Sequence, residues 1–133
     1  MKNEKENKLI LIPKMEKYIE YMLNVIMRLP RTEKFNIGNE YKVSMYKMLR
    51  DVLYISKVDD KKQCLQIINN LDAELNTQRI FLRIMQKNRW IDNKKFQVAM
   101  SLIYEIGKII GGLTKFYAKR RILYFKNGYF KIF

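Results

Sequence analysis

The chain has 133 residues, of which 48% are hydrophobic, and its 27 Lys or Arg against 13 Asp or Glu give a formal net charge of +14 at pH 7. This length fits one domain, and the hydrophobic content suffices for a packed core, which argues against disorder. Cys64 is the single cysteine, which excludes an intramolecular disulfide framework. The sequence has no histidine, so it lacks the commonest general base and metal ligand, and we expect neither enzyme activity nor a bound metal or cofactor.

The positive charge is concentrated in the second half of the chain. Residues 75–133 carry 13 Lys or Arg and two acids, whereas residues 1–74 carry 14 and 11, so the net charges are +11 and +3. Such an excess attracts phosphate at long range and gains affinity by counterion release, which predicts a polyanionic partner without specifying which polyanion. The alternative is that an AT-rich genome biases the composition toward lysine.

Apolar residues recur at helical spacing in four segments, which together predict one domain over residues 1–118. The predicted helices cover about residues 13–29, 38–58, 60–87 and 92–117. Pro30 ends the first, Asp59 and Asp60 lie where an N-cap would start the third, and Asp92 is a candidate N-cap of the fourth. Short connections force neighbouring helices antiparallel, so we expect an all-α, up-down-up-down four-helix bundle. The polar N-terminal residues contain no signal or membrane segment, which predicts a cytoplasmic protein without membrane association.

Residues 119–133 are predicted to form a basic aromatic extension beyond the bundle. The run 121–126 and the last five residues flank Asn127 and Gly128, the dipeptide that favours a type I′ turn, so a short β-hairpin is one prediction. Continuation of the fourth helix, or a tail ordered only on binding, are the alternatives. Residues 115–133 carry six Lys or Arg, seven aromatic residues and no acid, a mixture that suits single-stranded nucleic acid or a protein interface.

Two rows of basic residues each line one face of a predicted helix, because residues four or seven apart share a face. The row on the third helix consists of Arg79, Arg83 and Lys87. The row on the fourth helix consists of Lys108, Lys115 and Lys119, followed by Arg120 and Arg121. We predict that these side chains bind phosphate groups, and a solvated helix face is the alternative for each row.

Three glycines inside the predicted fourth helix call for a physical explanation. Gly107, Gly111 and Gly112 each cost roughly 1 kcal/mol relative to alanine in a helix interior. Close packing of this backbone against another helix or another subunit would account for them, and a kink is the alternative. Cys64 lies on an apolar stripe without a histidine to activate it, so we predict a core residue and not a nucleophile.

Two stretches go beyond a generic bundle: residues 29–38 (LPRTEKFNIG) join the first two predicted helices, and residues 105–112 (EIGKIIGG) lie in the fourth. Together they resemble the accessory variability determinant (Avd) proteins of diversity-generating retroelements. They are equally similar to the related four-helix proteins encoded in 23S rRNA intervening sequences. The resemblance covers about residues 9–118.

The resemblance implies a four-helix bundle that assembles into a homopentamer with a basic surface. In the retroelement branch it implies binding of the element's reverse transcriptase and of template RNA or cDNA, in support of mutagenic reverse transcription. Phe35 would pack inward, and Gly38 would allow the turn into the second helix. The motif residues that carry over are Arg31, Phe35, Gly38, Glu105, Gly107, Gly111 and Gly112. An RNA-binding bundle of the intervening-sequence type and a purely structural oligomeric bundle are the alternative functions.

Overall fold

A computed structural model describes residues 4–126 of the chain, with side chains from residue 4 to residue 118. Within this range the chain forms four long helices and one isolated helical turn, and no strand. In chain order they are α1 (Glu4–Met27), α2 (Arg31–Lys34), α3 (Ile37–Ile55), α4 (Lys61–Lys87) and α5 (Asn93–Lys126). The predicted all-α class is confirmed.

The four long helices form a closed ring around one core. α1 packs against α3 and α5, and α4 packs against the same two helices, with the α4–α5 contact the most extensive. Because only short turns join consecutive helices, neighbours run antiparallel. The predicted up-down-up-down four-helix bundle is therefore confirmed, with α3 and α5 at opposite corners.

Two aspartates start the last two helices, as predicted. A carboxylate oxygen of Asp60 accepts a hydrogen bond from the backbone N–H of Gln63 at 3.0 Å, and Asp92 accepts one from the backbone N–H of Lys95 at 2.7 Å. Each bond satisfies an amide that has no partner within the helix. The starting points of α4 and α5 thus follow from local sequence signals.

A left-handed residue ends α4 and reverses the chain. Arg89 has φ 61°, and the backbone N–H groups of Trp90 and Arg89 donate to the carbonyls of Met85 at 2.9 Å and Gln86 at 3.0 Å. This pair of bonds is a Schellman motif, which usually has glycine at the left-handed position. It turns the chain so that α5 returns along α4.

The first and last helices are longer than predicted. α1 begins at Glu4 and contains Pro13, where the sequence suggested a helix start. Proline leaves the carbonyl of Leu9 without an intrahelical donor, but both residues are exposed, so water can take that place. α5 continues beyond Tyr117 to Lys126, across the predicted domain boundary at residue 118.

The prediction of a C-terminal β-hairpin is wrong for the first of its two strands. Residues 121–126 belong to α5, so the alternative of a continued helix holds as far as Lys126. A short amphipathic run that follows a helix without a break is extended more easily than it is converted to a strand, because each further residue adds a helical hydrogen bond. Residues 127–133, including the Asn-Gly turn, lie outside the described residues.

A chain of hydrogen bonds crosses the apolar core and joins α1, α3 and α4. The hydroxyl of Tyr18 lies 2.5 Å from that of Tyr41 and donates to Oε1 of Gln78 at 2.6 Å, so Tyr41 is the donor to Tyr18. The amide of Gln78 donates to Ser44 Oγ at 2.8 Å, and Ser44 donates to a Glu74 carboxylate oxygen at 2.8 Å. Burial raises the pKa of both tyrosines, which keeps both hydroxyls protonated as donors.

We expect Gln78→Ala to lower the free energy of unfolding by about 2–4 kcal/mol. The change leaves a cavity and leaves the buried hydroxyls of Tyr18 and Ser44 without their shared partner. Thr77→Ala is the matched control, because Thr77 is exposed and bonds only to the carbonyl of Ala73 in its own helix, and its effect should stay within about 0.5 kcal/mol. Urea unfolding measures both, and equal effects would contradict the assigned network.

Candidate nucleic-acid interface

The predicted basic row on α4 begins at the contact between α4 and α5 and continues onto the solvent-exposed face of α4. Arg79 is half-buried, whereas Arg83 and Lys87 are exposed. Residues four apart on a helix are offset by about 40°, so successive members of the row turn away from α5. Arg83 and Lys87 are therefore free to meet a ligand, whereas Arg79 also takes part in packing.

Arg79 crosses α5 at a glycine. A Cβ atom added to Gly107 would lie 2.8 Å from Nη2 of Arg79 and 3.6 Å from Cδ2 of Leu75. The other terminal nitrogen, Nη1, donates to the side-chain oxygen of Asn76. The close packing predicted for Gly107 is confirmed, and its partner is a guanidinium group on the neighbouring helix.

The remaining motif glycines differ from Gly107. A Cβ at Gly111 would meet no atom within 4 Å, and one at Gly112 would meet only the Asn7 amide, at 3.8 Å. Close packing at these two positions is therefore absent within the described part of the chain. Gly38 is buried in the first turn of α3, where a Cβ would lie 3.0 Å from Cγ2 of Ile26, so a close approach of α1 explains this glycine.

The loop motif needs one correction. Phe35 was expected to pack inward, but it is 62% exposed at the end of α2. The core position is taken by Ile37 two residues later, which packs against the buried cluster, and the one-turn α2 rotates Phe35 toward solvent. Arg31, at the start of the same turn, is also exposed.

The second basic row lies on the outer face of α5. Lys108 and Lys115 are both exposed, and their spacing of seven residues places them on one face, two turns apart. The Lys108 ammonium lies 5.7 Å from the ring centroid of Tyr104. The other predicted members are Lys119, Arg120 and Arg121, whose backbone continues α5 and whose side chains lie outside the described residues.

The fold places the two rows on adjacent helices. They come close where Arg79 of α4 packs against Gly107 of α5, because Lys108 is the residue after Gly107. We name the combined set the α4–α5 surface. It comprises Arg79, Arg83, Lys87, Lys108 and Lys115. Its charges are spread along two antiparallel helices, so it presents a broad positive face to a ligand.

Both acids in residues 75–118 are paired with lysines outside this surface. Asp92 caps α5 and pairs with Lys95 at 3.3 Å, and hydrogen bonds from the Lys95 backbone and side chain lower the pKa of Asp92. Glu105 pairs with Lys14 of α1 at 2.9 Å, and this hydrogen bond lowers the pKa of Glu105, with a smaller contribution from the charge of Lys108. Glu105 therefore lies beside the Lys108 end of the α4–α5 surface, but its ion pair is with α1.

Sequence reasoning missed two lysines of α1. Lys14 lines a groove between α1 and α5 together with Glu105 and Lys108, and Lys17 is close enough to contribute to the lowered pKa of Glu105. They extend the basic area from α5 onto α1. Their spacing of three residues would have predicted that they share a helix face. They were overlooked because the first half of the chain has a net charge of only +3.

A second polar cluster joins the start of α1 and the start of α4 to Tyr117 of α5. Lys8 is buried and donates to the carbonyl of Val58 at 3.0 Å, with its Nζ 3.4 Å from Glu4. Lys61 pairs with Glu4 at 3.1 Å, and the hydroxyl of Tyr117 donates to the same carboxylate. Burial acts to raise the pKa of Glu4, but these donors outweigh it and the net pKa is lowered.

Cys64 belongs to this cluster as a core residue, as predicted. Its side chain is fully buried, donates to the carbonyl of Val58 at 3.3 Å, and lies 3.5 Å from the ammonium of Lys8. Among the described residues, no group of three or more His, Cys, Asp or Glu side chains could hold a metal ion.

One segment, Asn93–Ala118 of α5, is long and apolar enough to span a membrane by length and composition. Its apolar residues have an explanation within the fold, because Ala99, Ile103 and Ile110 point into the bundle core. Its outer face carries Lys108 and Lys115. An amphipathic core helix therefore accounts for the composition.

The comparison with known families assigns the chain. A family model described as bAvd-like matches residues 9–117. The protein therefore belongs to the bAvd-like family of accessory variability determinants. No curated protein and no solved structure matches the chain significantly.

We expect Gly107→Ala to leave the free energy of unfolding unchanged or to raise it by up to about 1 kcal/mol. Alanine favours the helix, and the added methyl displaces only the flexible end of Arg79. Gly38→Ala is the control, because its methyl would press on buried Ile26 and on the Glu33 carbonyl, which should cost about 1–2 kcal/mol. Urea unfolding of both variants tests the assignment, and the reverse order of stabilities would contradict it.

Acid should weaken the Glu4 cluster. The pKa of Glu4 is lowered in the folded state, so its stabilisation is present above its unfolded value of 4.5 and is lost as pH falls through the folded value. Glu4→Gln should therefore cost about 1 kcal/mol at pH 7 and progressively less as the pH is lowered from 4.5 toward 3. Thermal unfolding between these pH values measures the difference. A constant difference across the range would assign the loss to packing and not to charge.

Proposed function

We propose that this protein is a non-catalytic accessory subunit of a diversity-generating retroelement. In this proposal it binds the element's reverse transcriptase and holds template RNA or cDNA through the phosphate backbone. Membership of the bAvd-like family over residues 9–117 is the observation that carries the proposal. The α4–α5 surface supplies a physical basis, since it joins two basic rows whose described members form no ion pair with an acid of the described chain.

The chemistry of this surface favours phosphate over bases. Its guanidinium and ammonium groups match phosphate oxygens, and such contacts position a nucleic acid without reading its sequence. Tyr104 is the exposed aromatic residue beside Lys108, and the lysine lies over its ring. Binding should therefore be sequence-tolerant, which suits a subunit that follows a template and its copy.

The proposal includes a homo-oligomer in the cytoplasm, a pentamer by family resemblance, without membrane association. The two halves of the proposal are separable. One concerns nucleic acid on the α4–α5 surface, and the other concerns the polymerase.

Removal of three exposed cations should weaken nucleic-acid binding. We expect Arg83→Ala/Lys87→Ala/Lys108→Ala to lower RNA and DNA affinity and to flatten the dependence of log K on log salt by up to about three units, roughly one per lost phosphate contact. The matched control removes three exposed cations elsewhere. It is Arg28→Ala/Lys57→Ala/Lys62→Ala, which has the same net charge.

Fluorescence anisotropy between about 50 and 200 mM salt measures both variants. A smaller loss in the control assigns binding to the α4–α5 surface. Equal losses would show that only net charge matters, and unchanged binding in the first variant would contradict the surface.

The polymerase half is tested by co-purification with the reverse transcriptase encoded with this protein, with and without nuclease. A defined complex that survives nuclease supports direct binding, and its mass gives the number of subunits. A complex lost on nuclease treatment would contradict direct binding and leave the nucleic acid as the bridge.

A further inference from the structure

The outer face of α3 is apolar and uncovered. Val43 is 61% exposed, Tyr46 38%, Leu53 44% and Tyr54 53%, although all four are large hydrophobic residues. The inner face of the same helix supplies core residues such as Met48. α3 thus has two apolar faces, and the bundle uses one of them.

Three of these four side chains, those of Val43, Tyr46 and Leu53, follow the spacing of a helix-docking seam. Asn39, Val43, Tyr46, Arg50 and Leu53 are separated by steps of four, three, four and three, the a and d positions of a heptad repeat. This spacing places the five residues in one line along α3. A second helix that packs with heptad geometry would insert its side chains between them.

The seam is positive. Arg50 lies within it, is exposed, and makes no ion pair with any described residue. Asp51 pairs with Lys47 at 3.2 Å, and Glu40 flanks the N-terminal end of the seam beside Asn39 and Val43, so the free positive charge lies at Arg50 in its second half. A partner helix with acidic residues beside its apolar stripe would complement this surface, whereas a basic helix would be repelled.

We infer that the outer face of α3 is a docking surface for an amphipathic helix of a protein partner, with an apolar stripe and acidic flanks. α3 lies at the corner of the bundle opposite α5. A helix docked there leaves the outer face of α5 open. The inference rests on α3 alone and does not depend on nucleic-acid binding.

The probes are two labelled synthetic peptides of roughly three heptads, each with Leu at a and d. One has Glu at e and g, the other Lys, and a scrambled Glu peptide reports binding by charge alone. We expect the ordered Glu peptide to bind best, and Val43→Ser/Leu53→Ser to weaken it at least about tenfold. The control Ile80→Ser/Ile84→Ser removes two exposed aliphatic residues from α4 and should not weaken it.

Arg50→Glu should weaken the Glu peptide and strengthen the Lys peptide. Equal binding of the ordered and scrambled Glu peptides, or no loss in Val43→Ser/Leu53→Ser, would overturn the inference. A fall in the mass of the protein alone in that variant would also overturn it, because the face would then join copies of this chain. RNA binding measured on the same samples should be unchanged, which separates this result from failure of the proposed function.

Discussion

The hydrogen bonds of Gln78 fix α4 in the bundle. Apolar side chains alone allow a helix to slide or rotate at small cost, but a buried amide requires a donor and an acceptor at set positions. Gln78 finds them on two different helices, in Tyr18 of α1 and Ser44 of α3. Arg79 is the next residue, so the same constraint directs its guanidinium toward α5 and Gly107. Neighbouring residues of one turn of α4 thus anchor the core network and begin the α4–α5 surface.

The charge asymmetry of the sequence becomes a spatial asymmetry because of this topology. The basic half of the chain consists of the last part of α4 and all of α5, and these helices are joined by a short turn and pack along each other. Most acids lie in α1, in α3, in the turn before α4 and near the middle of α4. The two late acids, Asp92 and Glu105, are each engaged at an edge of the surface. A compositional bias alone would not separate acids from cations in this way.

The helical period and the capping residues predicted most of the fold. Asp60 and Asp92 act locally, so their role can be read from neighbouring residues. The start of α1 could not be predicted from neighbouring residues. The turns of α1 before Pro13 are held by a distant contact, in which Lys8 donates to the carbonyl of Val58 in the α3–α4 turn. The spacing of the basic residues was likewise enough to predict that each row lies on one face of its helix. The partial burial of Arg79 could not be predicted from that spacing, since it depends on which flank of α4 meets α5.

The order of helices around the ring also decides how many ligands the bundle can serve. With short turns, α3 can contact only α1 and α4 extensively, so its outer face points away from α5. The exposed apolar residues of α3 and the lysines on the outer face of α5 therefore lie on opposite sides of one rigid core. Charge-mediated attraction and apolar docking do not compete for the same residues. The proposed nucleic-acid site and the proposed helix-docking site are therefore separate in space.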